Sequence, residues 1–173
     1  MAKESVVLKS AVKESSVRQK YEKLTRSLIE KGISITTMES CTAGQIASLI
    51  TDTEGASAIL KGGFITYSNQ AKILQGVSEE TIGKYGVYSR ETAAAMAEAC
   101  RKTFDADIGT GITGSFSNAD PENEDSVPGD VYFAIATASG TESFRCRIPP
   151  QKSRPAYKMY AADLIANRLM ERI

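Results

Sequence analysis

Hydrophobic periodicity changes kind within a few residues of Gly32, and this switch constrains the fold more than any other feature of the sequence. Val17, Tyr21, Leu24, Leu28 and Ile29 recur at helical spacing and stop at Gly32, a residue suited to ending a helix. Residues 33–38 then mix apolar and hydroxyl side chains at the period of a strand, and a helical stripe of Ile46, Ala47, Leu49 and Ile50 follows directly. The exchange recurs downstream. Residues 58–67 read as a strand in which Gly62-Gly63 marks a bulge or a close backbone approach, and residues 69–74 as a short helix. Ser89 caps an alanine-rich helix that runs to about Phe104, and residues 107–112 form the next strand. A long acidic loop spans 114–128, a hairpin pairs 131–137 with 142–148, and a last helix starts near Arg154 with Tyr157, Ala161, Leu164, Ile165 and Leu169 as its buried stripe. Strands interleaved with helices over 173 residues imply an α/β protein. The expected form is a three-layer α/β/α sandwich with a mixed, mostly parallel sheet, the hairpin supplying the antiparallel element. Residues 14–173 read as one domain, and residues 1–13 as a polar leader that either stays flexible or docks.

Composition narrows the chemistry. The chain has no histidine, which removes Ser-His-Asp and Cys-His catalysis and histidine-ligated zinc. Any acid-base work near neutral pH then falls to a lysine, carboxyl, tyrosine or thiol shifted by its surroundings. With 21 Lys+Arg against 21 Asp+Glu the chain has no basic footprint for nucleic acid. Cys41, Cys100 and Cys146 are odd in number and far apart, so neither a disulfide framework nor a thiolate zinc site is expected, and a reducing cytoplasm fits. No apolar run is long enough for a membrane span, and the first residues lack the apolar core of a signal peptide. No metal-ligand spacing and no cofactor motif stands out.

Three segments carry side chains able to do chemistry. Ser40 follows a strand and precedes a helix, where free backbone N–H groups favour developing negative charge; a helix cap is the plain alternative. Tyr67 and Lys72 sit where another strand passes into a helix, the kind of sheet edge that holds active sites in open α/β sheets. Without histidine, a neutral lysine in a poorly solvated pocket is the natural base for a serine, and a tyrosine can relay the proton. Spacing alone equally allows an exposed Lys72 and a half-buried Tyr67. Cys41 is the rival nucleophile, or a small buried hydrophobe. The glycines of residues 109–114 suit close approach to a ligand phosphate or simply a turn.

Taken together, Thr37-Met38-Glu39-Ser40-Cys41-Thr42-Ala43-Gly44, then Gly62-Gly63-Phe64-Ile65-Thr66-Tyr67-Ser68-Asn69-Gln70-Ala71-Lys72, then Thr110-Gly111-Ile112-Thr113-Gly114, resemble in order the motifs of the CinA C-terminal domain family, the nicotinamide-nucleotide amidases. The resemblance runs from about Leu24 to the C-terminus and is joined by Gly86-Val87-Tyr88-Ser89. It implies an α/β/α fold and metal-free hydrolysis of the carboxamide of nicotinamide mononucleotide to nicotinic acid mononucleotide and ammonia, in pyridine-nucleotide salvage. By position, the family's catalytic serine, tyrosine and lysine fall on Ser40, Tyr67 and Lys72. Substrate contacts are expected from Glu39, Cys41, Thr42, Ala43 and Gly44 in the first motif, Asn69 in the second, Thr110, Gly111, Thr113 and Gly114 in the third, and Arg154 as a phosphate partner. A small-molecule substrate and a homo-oligomer are also expected.

The sequence departs from the family pattern in two places that bear on the site. Ala43 stands where the family usually has glycine, and the family's glycine-rich continuation after the third motif is replaced by Ser115 and the acidic loop. Four carboxylates near a phosphate site repel the ligand unless the loop points away. The alternative function is therefore a nucleotide-binding, regulatory module of the competence-damage-inducible type with little or no turnover.

Overall fold

The computed structural model describes residues 10–173. Its sheet has five strands in the order β2-β1-β3-β4-β5. β1 (Ile35–Glu39) lies between β2 (Leu60–Ile65) and β3 (Ile108–Gly114) and is parallel to both. β4 (Asp130–Thr137) is antiparallel to β3 and to β5 (Gly140–Arg147), so β4 alone runs against the other four strands. The sheet is thus mixed as expected.

Strand alternation assigns each face its cover. Ile35 of β1, Ile108 and Ile112 of β3, and Val131, Phe133 and Ile135 of β4 join one apolar cluster with α1 (Glu14–Lys31), α2 (Gln45–Thr51) and α6 (Arg154–Met170). The other face carries Met38, Gly109, Gly111, Ala134 and Ala136 beneath α5 (Arg90–Phe104). That face is built of small residues because the helix lies almost on the strands. A Cβ at Gly109 would stand 2.2 Å from the Ala97 carbonyl oxygen, and one at Gly111 would stand 2.4 Å from that of Ala93.

The ends of the elements follow local chemistry. Gly32 adopts the left-handed conformation that closes α1, at φ 63°. Ser68, Ser78, Ser89 and Ser153 each accept a bond from the backbone N–H three residues on, opening α3 (Asn69–Leu74), α4 (Glu79–Tyr85), α5 and α6. The expected bulge is present: the β1–β2 register shifts between Ile35 and Thr37, opposite Gly62. A Cβ on Gly62 would strike the Phe104 ring at 2.4 Å.

Three features differ from expectation. α4 fully buries none of its residues, so it leaves no apolar stripe to read. α2 begins at Gln45 rather than directly after β1, because residues 40–44 form a turn. β2 is shorter than residues 58–67, its start replaced by a 3₁₀ turn at Ala56–Ala58. The leader expected over residues 1–13 falls largely outside the described residues. Within them, Val12 packs against the core and the Ser10 carbonyl accepts a bond from Gln151 Nε2 at 3.0 Å.

β3 and β4 meet at one edge of the sheet, and the loop between them is pinched at its neck. Ser115 N–H donates to the Asp130 carbonyl at 3.0 Å, and Gly129 N–H donates to that of Ser115 at 2.9 Å. Gly111→Ala should lower stability by about 1–3 kcal/mol in urea unfolding, as overpacking at a closed interface does. Unchanged stability would show that α5 can lift off the sheet at no cost.

Candidate active site

Ser40 is the first residue past β1. Its N–H donates to the Ile112 carbonyl at 3.0 Å, which extends the β1–β3 pairing by one step, and its own carbonyl accepts from Ala43 N–H at 3.0 Å. The chain then turns through Ala43 (φ 49°) and Gly44 (φ 91°). Ala43 is one of two non-glycine residues in the left-handed region among the described residues, which gives a physical reason for glycine at that position in the family pattern. Glu39 holds the turn from inside. Its carboxylate accepts the N–H groups of Gly44, Ile46 and Ala47 at 3.0, 3.1 and 2.9 Å and is almost wholly buried. Expected as a substrate contact, Glu39 instead caps α2 from outside the helix.

Lys72 reaches Ser40 from α3. The Ser68 cap fixes the start of that helix, with Ala71 N–H donating to Ser68 Oγ at 3.0 Å, and Lys72 is directed inward at 2% exposure. Its Nζ lies 3.1 Å from Ser40 Oγ and 3.0 Å from the Thr66 carbonyl oxygen. Burial pulls its pKa down to about 8, partly opposed by the negative influence of Cys41 and Asp120.

Cys41 is buried beside Ser40, and burial pushes its thiol up to about 12, the nearby Glu39 adding to the shift. That disfavours the rival nucleophile relative to Ser40, since the thiolate does the attacking. The N–H groups of Cys41 and Thr42, directly after Ser40, bond no backbone oxygen among the described residues and are turned to the Cys41 sulfur.

A cavity of about 340 Å³ opens over Ser40 and Cys41, walled by Tyr67, Tyr88, Phe116, Asp120, Glu122 and Arg154 among others. Tyr67 is exposed at its mouth, and its hydroxyl accepts from Arg154 Nη2 at 3.2 Å rather than bonding Ser40 or Lys72. The relay expected of Tyr67 therefore has no hydrogen bond to run through here. The Arg154 guanidinium also lies 5.6 Å from the Phe116 ring centroid.

The remaining expected contacts divide. Gly114 lines the cavity, whereas Thr110, Gly111 and Thr113 do not. Thr110 and Thr113 are buried, their hydroxyls donating to the carbonyls of Thr36 and Val87, and Gly111 serves the packing of α5. The glycine pattern thus reports helix packing along β3, with its ligand face confined to the strand end. Asn69 donates to Asn123 Oδ1 at 2.8 Å and so ties α3 to the acidic loop. That loop does not point away from the site, because Asp120 and Glu122 are part of the wall. Tyr88 and Phe116 are lining residues that the sequence did not single out, whereas Asp120 belongs to the acidic loop whose nearness to the site was left open.

These features have counterparts among known proteins. The model of the CinA C-terminal domain matches residues 17–171. The chain belongs to the CinA C-terminal domain family. The nicotinamide-nucleotide amidohydrolase PncC of Escherichia coli K12 is 40% identical over 128 residues, covering 73% of this chain and 77% of that protein. A protein of Acetivibrio thermocellus, named only provisionally as competence-damage inducible, is 40% identical over 130 residues, 75% of this chain but 31% of its own length. The chain thus spans about a third of such longer relatives. The crystal structure of a CinA superfamily protein from Escherichia coli superimposes with a TM-score of 0.83 at 26% identity, covering 98% of this chain and 96% of that one. One from Klebsiella pneumoniae gives 0.82 at 25%, covering 90% and 96%. No described helix is long and apolar enough to cross a membrane.

The lowered Lys72 pKa carries a stability consequence. Below about 8 the folded protein holds an ammonium that burial disfavours, while above the ordinary value of 10.5 the amine is neutral whether folded or not and the penalty vanishes. The stability difference between Lys72→Met and wild type should therefore shift by about 2–3 kcal/mol in favour of wild type between pH 7 and pH 10, read by urea unfolding at the two pH values. A pH-independent difference would mean that Lys72 keeps an ordinary pKa.

Proposed function

We propose that this chain is an amidohydrolase that converts the carboxamide of a nicotinamide nucleotide, with the mononucleotide as the first candidate, to the acid and ammonia through an acyl ester on Ser40. The observation that carries the reading is the 3.1 Å contact between the buried Lys72 Nζ and Ser40 Oγ. A neutral amine has two N–H donors and one lone pair. With one donor held by the Thr66 carbonyl, the lone pair can be presented to the Ser40 hydroxyl.

In the proposed sequence, Ser40 Oγ bonds to the carboxamide carbon while its proton passes to Lys72. The carbonyl oxygen takes the negative charge, and the N–H groups of Cys41 and Thr42 hold it in place of the Cys41 sulfur that they face in the free protein. The Lys72 ammonium returns the proton to the leaving nitrogen, the C–N bond breaks and ammonia departs. A water then adds to the ester with its proton taken by Lys72, and the Ser40–carbon bond breaks as the proton returns to Ser40 Oγ. Tyr67 and Arg154 sit at the mouth, where an arginine paired with a hydroxyl suits the phosphate of a nucleotide. The name of the Escherichia coli relative, a nicotinamide-nucleotide amidohydrolase, supports this choice of substrate class.

A second reading, nucleotide binding without turnover, draws on the carboxylates of Asp120 and Glu122 in the cavity wall. Ammonia release over a panel of nicotinamide mononucleotide, nicotinamide riboside, nicotinamide and glutamine separates the two. The proposed function requires release from the mononucleotide, reduced about a thousandfold in Ser40→Ala and Lys72→Met, with kcat/KM rising as pH climbs through about 8 because the free amine is the active form. Tight nucleotide binding with no ammonia would establish the second reading. Full turnover in Ser40→Ala would discard the acyl-enzyme.

A further inference from the structure

The cavity over Ser40 carries both signs of charge. Arg154 lines it, and so do Asp120 and Glu122 of the acidic loop. The carboxylate of Asp120 is built in. Its Oδ2 accepts the Tyr88 hydroxyl and Asn123 Nδ2, each at 2.6 Å, and its Oδ1 accepts Glu122 N–H at 3.0 Å. Its own N–H donates to Ser126 Oγ at 2.7 Å. Asn123 is anchored in turn by Asn69, the first residue of α3, three residues before Lys72. The donated hydrogen bonds, the one from Tyr88 foremost, hold the Asp120 carboxyl below its ordinary range, so it is charged at neutral pH.

A fixed anion beside the reacting centre discourages a phosphate-bearing ligand unless that ligand brings a positive charge to the same place. An oxidised nicotinamide nucleotide does so, because its carboxamide is borne on a quaternary pyridinium ring. With the carboxamide carbon at Ser40, the ring must occupy the cavity that Asp120 lines, and the phosphate is left for the Arg154 side.

We infer that Asp120 is a specificity-determining residue that selects carboxamides borne on a cationic ring over neutral ones, with Arg154 receiving the anionic end of the same ligand. This rests on the function proposed above. Asp120 also faces Lys72, so loss of its charge changes turnover of every substrate through the base; only the preference between charged and neutral rings reports on recognition.

The test uses a matched pair, nicotinamide mononucleotide and its reduced dihydro form, which keep the same carboxamide and phosphate while the ring loses its charge. Binding is measured by calorimetry in a Ser40→Ala background, so that hydrolysis does not enter. The oxidised form should bind about tenfold tighter than the reduced form, the scale of one partly screened charge pair. Adding Asp120→Asn should bring the two within about twofold. Tyr88→Phe, which removes a donor to the carboxylate but keeps its charge, should retain most of the preference. Equal binding of the two forms in the Ser40→Ala protein, or an undiminished preference in Asp120→Asn, overturns the inference. A Tyr88→Phe protein that loses the preference as completely as Asp120→Asn assigns it to loop order and overturns it as well. Charge preference in binding with no ammonia released by the unsubstituted enzyme would sink the proposed function and leave this inference standing.

Discussion

The Glu39 carboxylate is the interaction on which the site depends. Three backbone N–H groups of the turn and the first residues of α2 converge on it, and a short helix of seven residues would otherwise start with those donors unmet. By gathering them at the end of β1, Glu39 fixes where the chain must bend, and the bend places Ser40 at the sheet edge with two further N–H groups following it. The acid adjacent to the serine thus shapes the site while staying outside the cavity. Loss of this carboxylate disturbs position, which an assay of chemistry alone would mistake for loss of a reacting group.

Lys72 pulls in the opposite sense. It is a charged side chain placed where water is largely absent, held by one hydroxyl and one carbonyl, with no carboxylate in direct contact among the described residues. Burial of this kind costs folding free energy, and the same burial makes the amine available as a base near neutrality. The apolar clusters on both faces of the sheet and the serine caps on four helices offset it. Stability concentrated in the scaffold permits strain at one end of it.

Much of this was legible in the sequence because it rests on local rules. Gly32 ends α1, Ser89 opens α5, and the stripe from Tyr157 to Leu169 is buried as periodicity requires. Ser40 and Lys72 could be singled out because the absence of histidine left few bases to consider, and the structure brings the two together. What escaped is non-local. Gly111 looks like a ligand-binding glycine until α5 is seen lying on it, and Glu39 looks like a ligand contact until the N–H groups it accepts are located. Tyr67 was placed at the correct edge, but its partner, Arg154, lies 87 residues away, beyond anything that spacing reveals. The acidic loop has no periodicity at all, and its bonds to Tyr88 and Asn69 tie it to the segments before α5 and at the start of α3.

The reversal of β4 has a wider meaning. Because β3 ends and β4 begins at the same edge, and because backbone bonds between Ser115, Gly129 and Asp130 close the neck, residues 116–128 form a segment whose two ends are fixed independently of what lies between them. Closing a longer or shorter loop across such a neck costs little extra entropy. The wall of the cavity can therefore be exchanged in evolution as a cassette, while the serine, the lysine and the turn that presents them stay on the parallel half of the sheet. Diversification of ligand preference and preservation of the reacting pair are separable in this architecture, and the divergence of the loop from the family pattern is what such separability permits.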